Sequence, residues 1–160
     1  MTVAKRSPAL ERGHRALRKG RVSAPHHVYL VTAVTRDRQR YFDDFAVGCA
    51  AAGSFESTDT LGDCRLWAWV LMPDHAHWLL QLGSSEKLAG IVNRLKSASA
   101  RRANSVLGRE GPFWARGFHD RGLRHDEDIA SVARYIVANP WRAGLVNRVA
   151  DWPFWNAAWL

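Results

Sequence analysis

The chain has 160 residues, 47% of them hydrophobic, and a formal net charge of +8 at pH 7. This length is typical of one domain, and the apolar content is enough for a buried core, which excludes a chain disordered throughout. No apolar stretch approaches the length of a membrane-spanning helix, and the N-terminus lacks the apolar segment of a secretory signal. We therefore expect a soluble cytoplasmic protein, in which Cys49 and Cys64 stay reduced.

The positive charge is concentrated at the N-terminus. Residues 1–21 carry seven basic side chains against the single acid Glu11, so this segment holds six of the eight excess charges. Residues 1–24 are predicted to form a basic flexible arm, with residues 25–160 as the folded domain. Such an arm favours a polyanionic partner, with nucleic acid as the first candidate and a membrane surface as the second. A solvated tail that only aids solubility is the alternative.

The first predicted element of the folded domain is a strand over 28–35 (VYLVTAVT), which is rich in β-branched and aromatic residues. A loop with alternating arginines follows, and then a short helix is predicted over 42–52. The spacing of Arg36, Arg38 and Arg40 suits contacts with a phosphate backbone, although arginine-rich loops are also common as solvated surface. Residues after this helix are polar, with no clear period.

Two apolar runs around a Pro-Asp dipeptide predict adjacent strands over 65–72 and 75–82. Side chains alternate between the faces of a strand, so His75 and His77 point the same way while Ala76 points into the sheet. Two histidines on one face have the spacing to hold two neighbouring positions of one metal ion. The alternative is a pair of unrelated histidines at a strand end.

A long helix is predicted to begin after Ser84 or Ser85 and to end at Gly108, with one apolar stripe. Its basic residues lie off that stripe, on a face that suits phosphate contact or is simply solvated: Arg94, Lys96, Arg101 and Arg102. Residues 112–118 (PFWARGF) then predict another strand.

A shorter helix is predicted from His125 or Asp126 through Ala138, with acidic residues in its first turn and Pro140 ending it. Residues 141–160 are turn-rich and contain four tryptophans, and we expect them to pack back on the core.

Tyr135 and Asn139 are four residues apart near the end of this helix, so their side chains lie one above the other. A tyrosine one turn before a polar amide is consistent with a nucleophile beside a metal ligand. An amphipathic tyrosine at the core margin, followed by an asparagine cap, is the alternative.

The chain carries the motif V-L-M-P-D-H-A-H-W-L-L and, some sixty residues later, the motif R-Y-I-V-A-N-P-W-R-A-G-L-V. Two motifs in this order resemble the single-tyrosine HUH transposase family, and within it the REP-associated tyrosine transposases, which act on repetitive extragenic palindromes in bacterial genomes. The segments F-W-A-R-G-F-H-D-R and R-H-D-E-D-I between them are also similar to that family. The resemblance covers residues 26–150.

The resemblance implies a single α/β (α+β) domain with a central antiparallel sheet flanked by helices, the ferredoxin-like HUH nuclease fold. It also implies site residues: His75, His77 and Asn139 as ligands of a divalent metal, Mg²⁺ or Mn²⁺, and Tyr135 as the nucleophile. Asp120 matches an acidic position of the family and is expected to have a supporting role. His119 departs from the aromatic residues common at its position.

The implied reaction is cleavage and rejoining of single-stranded DNA folded into palindromic hairpins. The metal binds a scissile phosphate oxygen, and the tyrosine forms a 5′-phosphotyrosine intermediate with a free 3′-hydroxyl. Bases stack on tryptophan or histidine side chains, and basic residues hold the phosphates. The expected DNA-binding residues are Arg18, Lys19, Arg21, Arg36, Arg38, Arg101, Arg102, Arg116 and Arg121. We expect a monomer rather than a homodimer.

Two other functions compete with this one. A domesticated, non-catalytic DNA-binding protein that recognises palindromic repeats would keep the basic surface without cleavage. A zinc-dependent hydrolase built on the His-x-His pair is the third possibility, since imidazole also suits Zn²⁺. The sequence lacks an H-E-x-x-H motif, which argues against the hydrolase.

Overall fold

The computed structural model describes residues 23–159. Five strands form one antiparallel sheet in the order β4-β1-β3-β2-β5. The predicted single domain with a central antiparallel sheet flanked by helices is confirmed. The strands are β1 (Val28–Val34), β2 (Arg65–Met72), β3 (His75–Gln81), β4 (His119–Gly122) and β5 (Trp155–Ala157).

β2 and β3 form a hairpin whose loop is the predicted Pro73-Asp74 pair, because Met72 lies directly opposite His75 in the register. The loop is held by Thr35, the residue that follows β1. The carbonyl oxygen of Asp74 accepts hydrogen bonds from the backbone nitrogen of Thr35 at 2.9 Å and from its hydroxyl at 3.1 Å. The hairpin turn is therefore tied to the end of β1, which fixes where β3 begins.

Helices cover both faces of the sheet. The helices are α1 (Phe45–Ala52), α2 (Thr58–Leu61), α3 (Leu88–Leu107), α4 (Ile129–Val137) and α5 (Asn139–Arg142). The larger core lies on the face covered by α1 and α3 and contains Ala76, Trp78 and Leu80 of β3. A smaller core lies under α4, where Leu79 packs with Val70 of β2. Alternate residues of β3 thus belong to different cores.

α4 carries Tyr135, the predicted nucleophile. Its N-cap is Asp128, whose carboxylate accepts hydrogen bonds from the backbone nitrogens of Ala130 and Ser131. A hydrogen bond from the Ser131 hydroxyl, together with these two backbone bonds, holds the pKa of Asp128 below its usual value although burial opposes the shift. Its buried residues Ala133, Ile136 and Val137 pack in the smaller core.

The predicted strand over 112–118 is wrong. Phe113 and Trp114 are buried core residues, with only an isolated bridge from Trp114 to Thr35. Gly117 then has a φ of +72°, which interrupts an extended backbone. The strand forms just beyond this glycine, as β4.

Two helix starts also differ from the prediction. α3 begins at Leu88 because Ser84 and Ser85 donate hydrogen bonds to the Asp63 carboxylate instead of capping the helix. α4 begins at Ile129, directly after its N-cap Asp128. Glu127, which was predicted to lie in the first turn, precedes the helix and forms an ion pair with Arg121.

The C-terminal segment packs on the sheet as expected, and it adds a strand that was not predicted. β5 pairs with β2, and Phe154 just before it is buried. The indole nitrogen of Trp152 donates to the carbonyl oxygen of Leu71 at 3.0 Å. Pro140 lies in the first turn of α5, directly after α4 ends.

Most of the predicted basic arm, including Arg18, Lys19 and Arg21, lies outside the described residues, and the boundary at 24 stays a prediction. Within residues 23–159, no helix has the length and apolar character needed to cross a membrane.

Gly48 gives a test of the core on the α1 face. A Cβ at this position would lie 2.3 Å from Cζ of the buried Phe154 ring. We expect Gly48→Ala to lower the free energy of unfolding by about 1–3 kcal/mol through overpacking. The matched control is Gly90→Ala in α3, where the nearest atom is Arg94 Nη1 at 4.0 Å. That variant should be neutral or stabilised by up to about 1 kcal/mol. Equal urea midpoints for the two variants would contradict this packing.

Candidate functional site

His75 and His77 lie at the start of β3 with their ring centroids 5.0 Å apart. Both are partly buried, whereas Ala76 between them is fully buried in the core on the α1 and α3 face. His77 of β3 lies opposite Val70 of β2, which belongs to the core under α4. The two imidazoles therefore share the face that α4 covers, as the alternation predicts.

Each imidazole is oriented by a hydrogen bond at Nδ1. Nδ1 of His77 is 2.7 Å from the hydroxyl oxygen of Thr32, the residue opposite it on β1. Nδ1 of His75 is 2.7 Å from Oδ1 of Asp74 in the hairpin loop. Such contacts fix the ring orientation and leave Nε2 as the nitrogen available to a metal ion, as is usual for metal-binding histidines.

The electrostatics favour neutral His77 and ionised Asp74. Burial lowers the pKa of His77 to about 4, and the charges of His75 and Arg142 act in the same direction. Burial acts to raise the pKa of Asp74, but the hydrogen bond and charge of His75, together with the charge of Arg38, outweigh it and lower that pKa. Neutral imidazole is the form that binds a metal ion.

Tyr135 lies on α4, the helix that packs on the histidine face of the sheet, and Asn139 begins α5 directly after it. The buried side of α4 packs on β2, next to the strand that carries the histidines. Tyr135 is on the outer side of the helix and is 62% exposed, so its hydroxyl is accessible to a large substrate. Asn139 is half-buried at the start of α5.

Arg142 connects Tyr135 with Asn139 and is not among the site residues predicted from the sequence. Its Nη1 donates to the backbone carbonyl of Tyr135 at 2.6 Å, and its Nη2 donates to the side-chain oxygen of Asn139. The guanidinium carbon lies 3.8 Å from the centroid of the Tyr135 ring. Its positive charge also reaches His77. Arg142 follows Asn139 by three residues in α5, the spacing of neighbours on a helix surface, and this is a signal that could have identified it.

The predicted DNA-binding arginines occupy different parts of the molecule. Arg36 and Arg38 are exposed in the turn after β1, and Arg38 lies 3.7 Å from the Asp74 carboxylate, next to the histidines. Arg116 is exposed just before β4, and Arg121 in β4 pairs with Glu127 at 2.7 Å. Arg101 and Arg102 are exposed on α3, which packs on the opposite face of the sheet from the histidines.

The β4 residues divide between the two faces. Asp120 lies opposite Val31 of the larger core, so its side chain is on the face away from the histidines. His119 is opposite Thr32 on the other side of β1 from His77, so His119, Thr32 and His77 form one row across the histidine face.

A separate group of three potential ligands lies at the other end of the hairpin. Atoms of Asp63, Cys64 and Glu86 approach within 4.8 Å of one another. Asp63 already accepts three hydrogen bonds from Ser84 and Ser85, and Glu86 is paired with Arg94. Burial raises the pKa of the Cys64 thiol, which disfavours the thiolate needed for metal binding.

The antiparallel sheet, with its histidine pair facing a helix that carries a tyrosine, defines a protein of the HUH transposase type. The chain belongs to the IS200-like transposase family: the family model described as "Transposase IS200 like" matches residues 23–139, which contain both histidines, Tyr135 and Asn139. The family predicted from the two motifs is confirmed.

The chain is similar to REP-associated tyrosine transposases. A Haemophilus influenzae protein provisionally given that name is 28% identical over 142 residues, which span 79% of this chain and 77% of the relative. The REP-associated tyrosine transposase of Escherichia coli K12 is 29% identical over 89 residues, covering 54% and 50% of the two chains. A solved REP-associated tyrosine transposase bound to a REP hairpin shares the fold, with a TM-score of 0.64 and 22% identity over 84% of this chain and 79% of that one.

The lowered pKa of His77 predicts a pH dependence of stability in metal-free protein. The unfolded imidazole takes up a proton near pH 6.5, whereas the folded one does so near pH 4. Stability should therefore fall as the pH drops from 6.5 toward 4, by at most about 3 kcal/mol from this group. The measurement is urea unfolding in EDTA at several pH values for wild type and His77→Asn. The stability difference between the two proteins should shrink toward pH 4, and a difference independent of pH would contradict the assignment.

Proposed function

We propose that this chain is a metal-dependent single-stranded DNA endonuclease and strand transferase that acts on palindromic hairpins. The observation that carries the proposal is the shared face of the sheet. His75 and His77 lie on it, the helix bearing Tyr135 packs on it, and Arg142 connects that helix electrostatically with His77. Membership of the IS200-like transposases supports the same function.

The residues present fit a divalent cation. Two imidazoles, each oriented through Nδ1, and the amide oxygen of Asn139 make a set of two nitrogen donors and one oxygen donor. Such a set leaves coordination positions for water and phosphate and suits Mn²⁺ or Mg²⁺. When bound, the cation would polarise the scissile phosphate and neutralise its charge.

Tyr135 would be the nucleophile because its side chain is exposed and its ring lies against the guanidinium of Arg142, which also binds the Asn139 oxygen. Its phenol oxygen attacks the phosphorus as the bond from phosphorus to the 3′-oxygen breaks, and the phenol proton passes through water to that oxygen. The product is a 5′-phosphotyrosyl bond with a free 3′-hydroxyl. The energy of the phosphodiester is retained, so a second strand can be joined without ATP.

The surface near the site suits a folded single strand. Arg36 and Arg38 are exposed beside the histidine hairpin, where they can contact phosphates. Trp141 is 54% exposed in α5, between Asn139 and Arg142, and offers a face for an unpaired base. The REP hairpin bound by the structurally similar protein makes palindromic hairpins the substrates to test first. A monomer stays our prediction for the acting species.

A DNA-binding protein without cleavage is the second candidate, and one observation favours it. The Asn139 oxygen already accepts a hydrogen bond from Arg142, so the proposed third ligand is engaged. Hairpin binding without any covalent product, under every metal condition tried, would support this candidate over the nuclease.

The nucleophile can be tested by trapping the covalent product. Wild type should form a slow-migrating protein–DNA adduct on denaturing gels when incubated with a labelled hairpin and Mn²⁺. Tyr135→Phe should lose this adduct by at least about 1,000-fold, since it lacks the attacking oxygen.

Tyr41→Phe is the matched control for that experiment. Tyr41 is also a tyrosine beside an arginine, with Arg109 5.3 Å from its ring centroid, but its ring stacks on Phe113 in the core. This variant should keep the adduct. An adduct that survives in Tyr135→Phe would mean that another residue is the nucleophile.

Thr32→Val tests the orientation of His77. The valine keeps the shape of the side chain but removes the hydroxyl that lies 2.7 Å from Nδ1. We expect Mn²⁺ affinity, measured by calorimetry, to fall about 10- to 100-fold. Thr58→Val, at an exposed position in α2, should leave it unchanged. Unchanged affinity in Thr32→Val would argue against metal ligation by His77.

A further inference from the structure

The Arg142 guanidinium lies between the proposed nucleophile and the proposed third ligand. It contacts the Tyr135 carbonyl at 2.6 Å, the Tyr135 ring at 3.8 Å from the centroid, and the Asn139 side-chain oxygen. The residue is nevertheless exposed. A guanidinium has five N–H donors, and these two hydrogen bonds use only two of them.

The contact with Asn139 conflicts with cation binding. If Asn139 supplies its oxygen to a divalent ion, that ion and the Arg142 guanidinium must approach the same atom. Two positive charges at that separation repel each other, and the charge of Arg142 already acts on His77. Arg142 in this position therefore opposes the cation.

A phosphate resolves the conflict. A phosphorus attacked by Tyr135 must lie just beyond the phenol oxygen, which is on the rim of the ring that Arg142 covers. A phosphate bound there would place its negative oxygens between the guanidinium and the cation. The planar fork of arginine matches two phosphate oxygens and stabilises the charge that accumulates on them in the transition state.

We propose that Arg142 is a catalytic residue with two positions: it holds the Asn139 oxygen before cation and DNA bind, and it turns to the scissile phosphate when they do. This inference rests on the proposed function. In the second position Arg142 donates hydrogen bonds to the non-bridging phosphate oxygens. It forms no covalent bond and transfers no proton, so the balance of the reaction is unchanged.

Two variants separate this role from a structural one. Arg142→Gln removes the charge and should bind Mn²⁺ about 10-fold more tightly in the absence of DNA, because the repulsion at Asn139 is lost. The same variant should cleave a hairpin about 100-fold more slowly in a single turnover. Arg142→Lys keeps the charge without the planar fork, so its Mn²⁺ affinity should stay near that of wild type while its cleavage rate is still reduced.

Calorimetry with Mn²⁺, single-turnover cleavage and thermal unfolding are measured for each variant. Arg148→Gln is the matched control, since Arg148 is an exposed arginine of the same C-terminal segment that pairs with Asp151 at 2.8 Å. Both its Mn²⁺ affinity and its cleavage rate should match those of wild type. A hairpin with an uncharged methylphosphonate at the scissile position should show a much smaller penalty for Arg142→Gln than the natural hairpin.

Opposite changes in Mn²⁺ affinity and cleavage rate for Arg142→Gln, with the smaller penalty on the methylphosphonate, support the proposal. A parallel loss of affinity and rate overturns it, because that is the result of a merely structural role. An unchanged affinity or an unchanged rate also overturns it. Wild-type protein that neither binds Mn²⁺ nor cleaves any hairpin overturns the proposed function itself, whereas active wild type with an equally active Arg142→Gln overturns only the role of Arg142.

Discussion

The alternation of side chains along β3 is the constraint on which the rest of the site depends. Trp78 and Leu80 are fully buried in one core and Leu79 is fully buried in the other, so both faces of the strand are fixed by packing. A shift of the register by one residue would exchange these side chains between the cores and is strongly disfavoured. His75 and His77 are therefore held on the α4 face by apolar residues that follow them in the same strand.

The position of Tyr135 depends on the smaller core. α4 has nine residues, which is too short for a helix that is stable on its own, so tertiary packing must hold it. Ile136 and Val137 supply that packing, and full burial of each side chain contributes about 1.5–3 kcal/mol. The side chain next to them in sequence, Tyr135, stays exposed. The nucleophile proposed here is thus positioned by its buried neighbours while its own ring remains accessible.

The sequence predicted the parts of this arrangement that follow from local patterns. The hairpin of β2 and β3 and the shared face of the two histidines follow from alternation and one Pro-Asp turn. The start of α3 does not follow from local patterns, because Ser84 and Ser85 bind Asp63, which lies 21 and 22 residues earlier in the chain. The face of the sheet on which Asp120 lies could not be predicted either, since it depends on pairing with a strand distant in sequence. Arg142 was not predicted as a site residue, because its importance depends on its contacts with the Tyr135 carbonyl and the Asn139 oxygen.

The charges around the histidines have a physical consequence for substrate binding. Arg38 and Arg142 bring positive charge to a place where the proposed ligands would hold a divalent cation. In the absence of a polyanion, the two arginines would repel the cation. A phosphate bound between the arginines and the cation would be attracted by both. The phosphate would therefore strengthen cation binding, and by linkage the cation would strengthen phosphate binding equally. If the proposed function holds, a complete site would form only when DNA is bound, which would limit metal-dependent chemistry in the free protein.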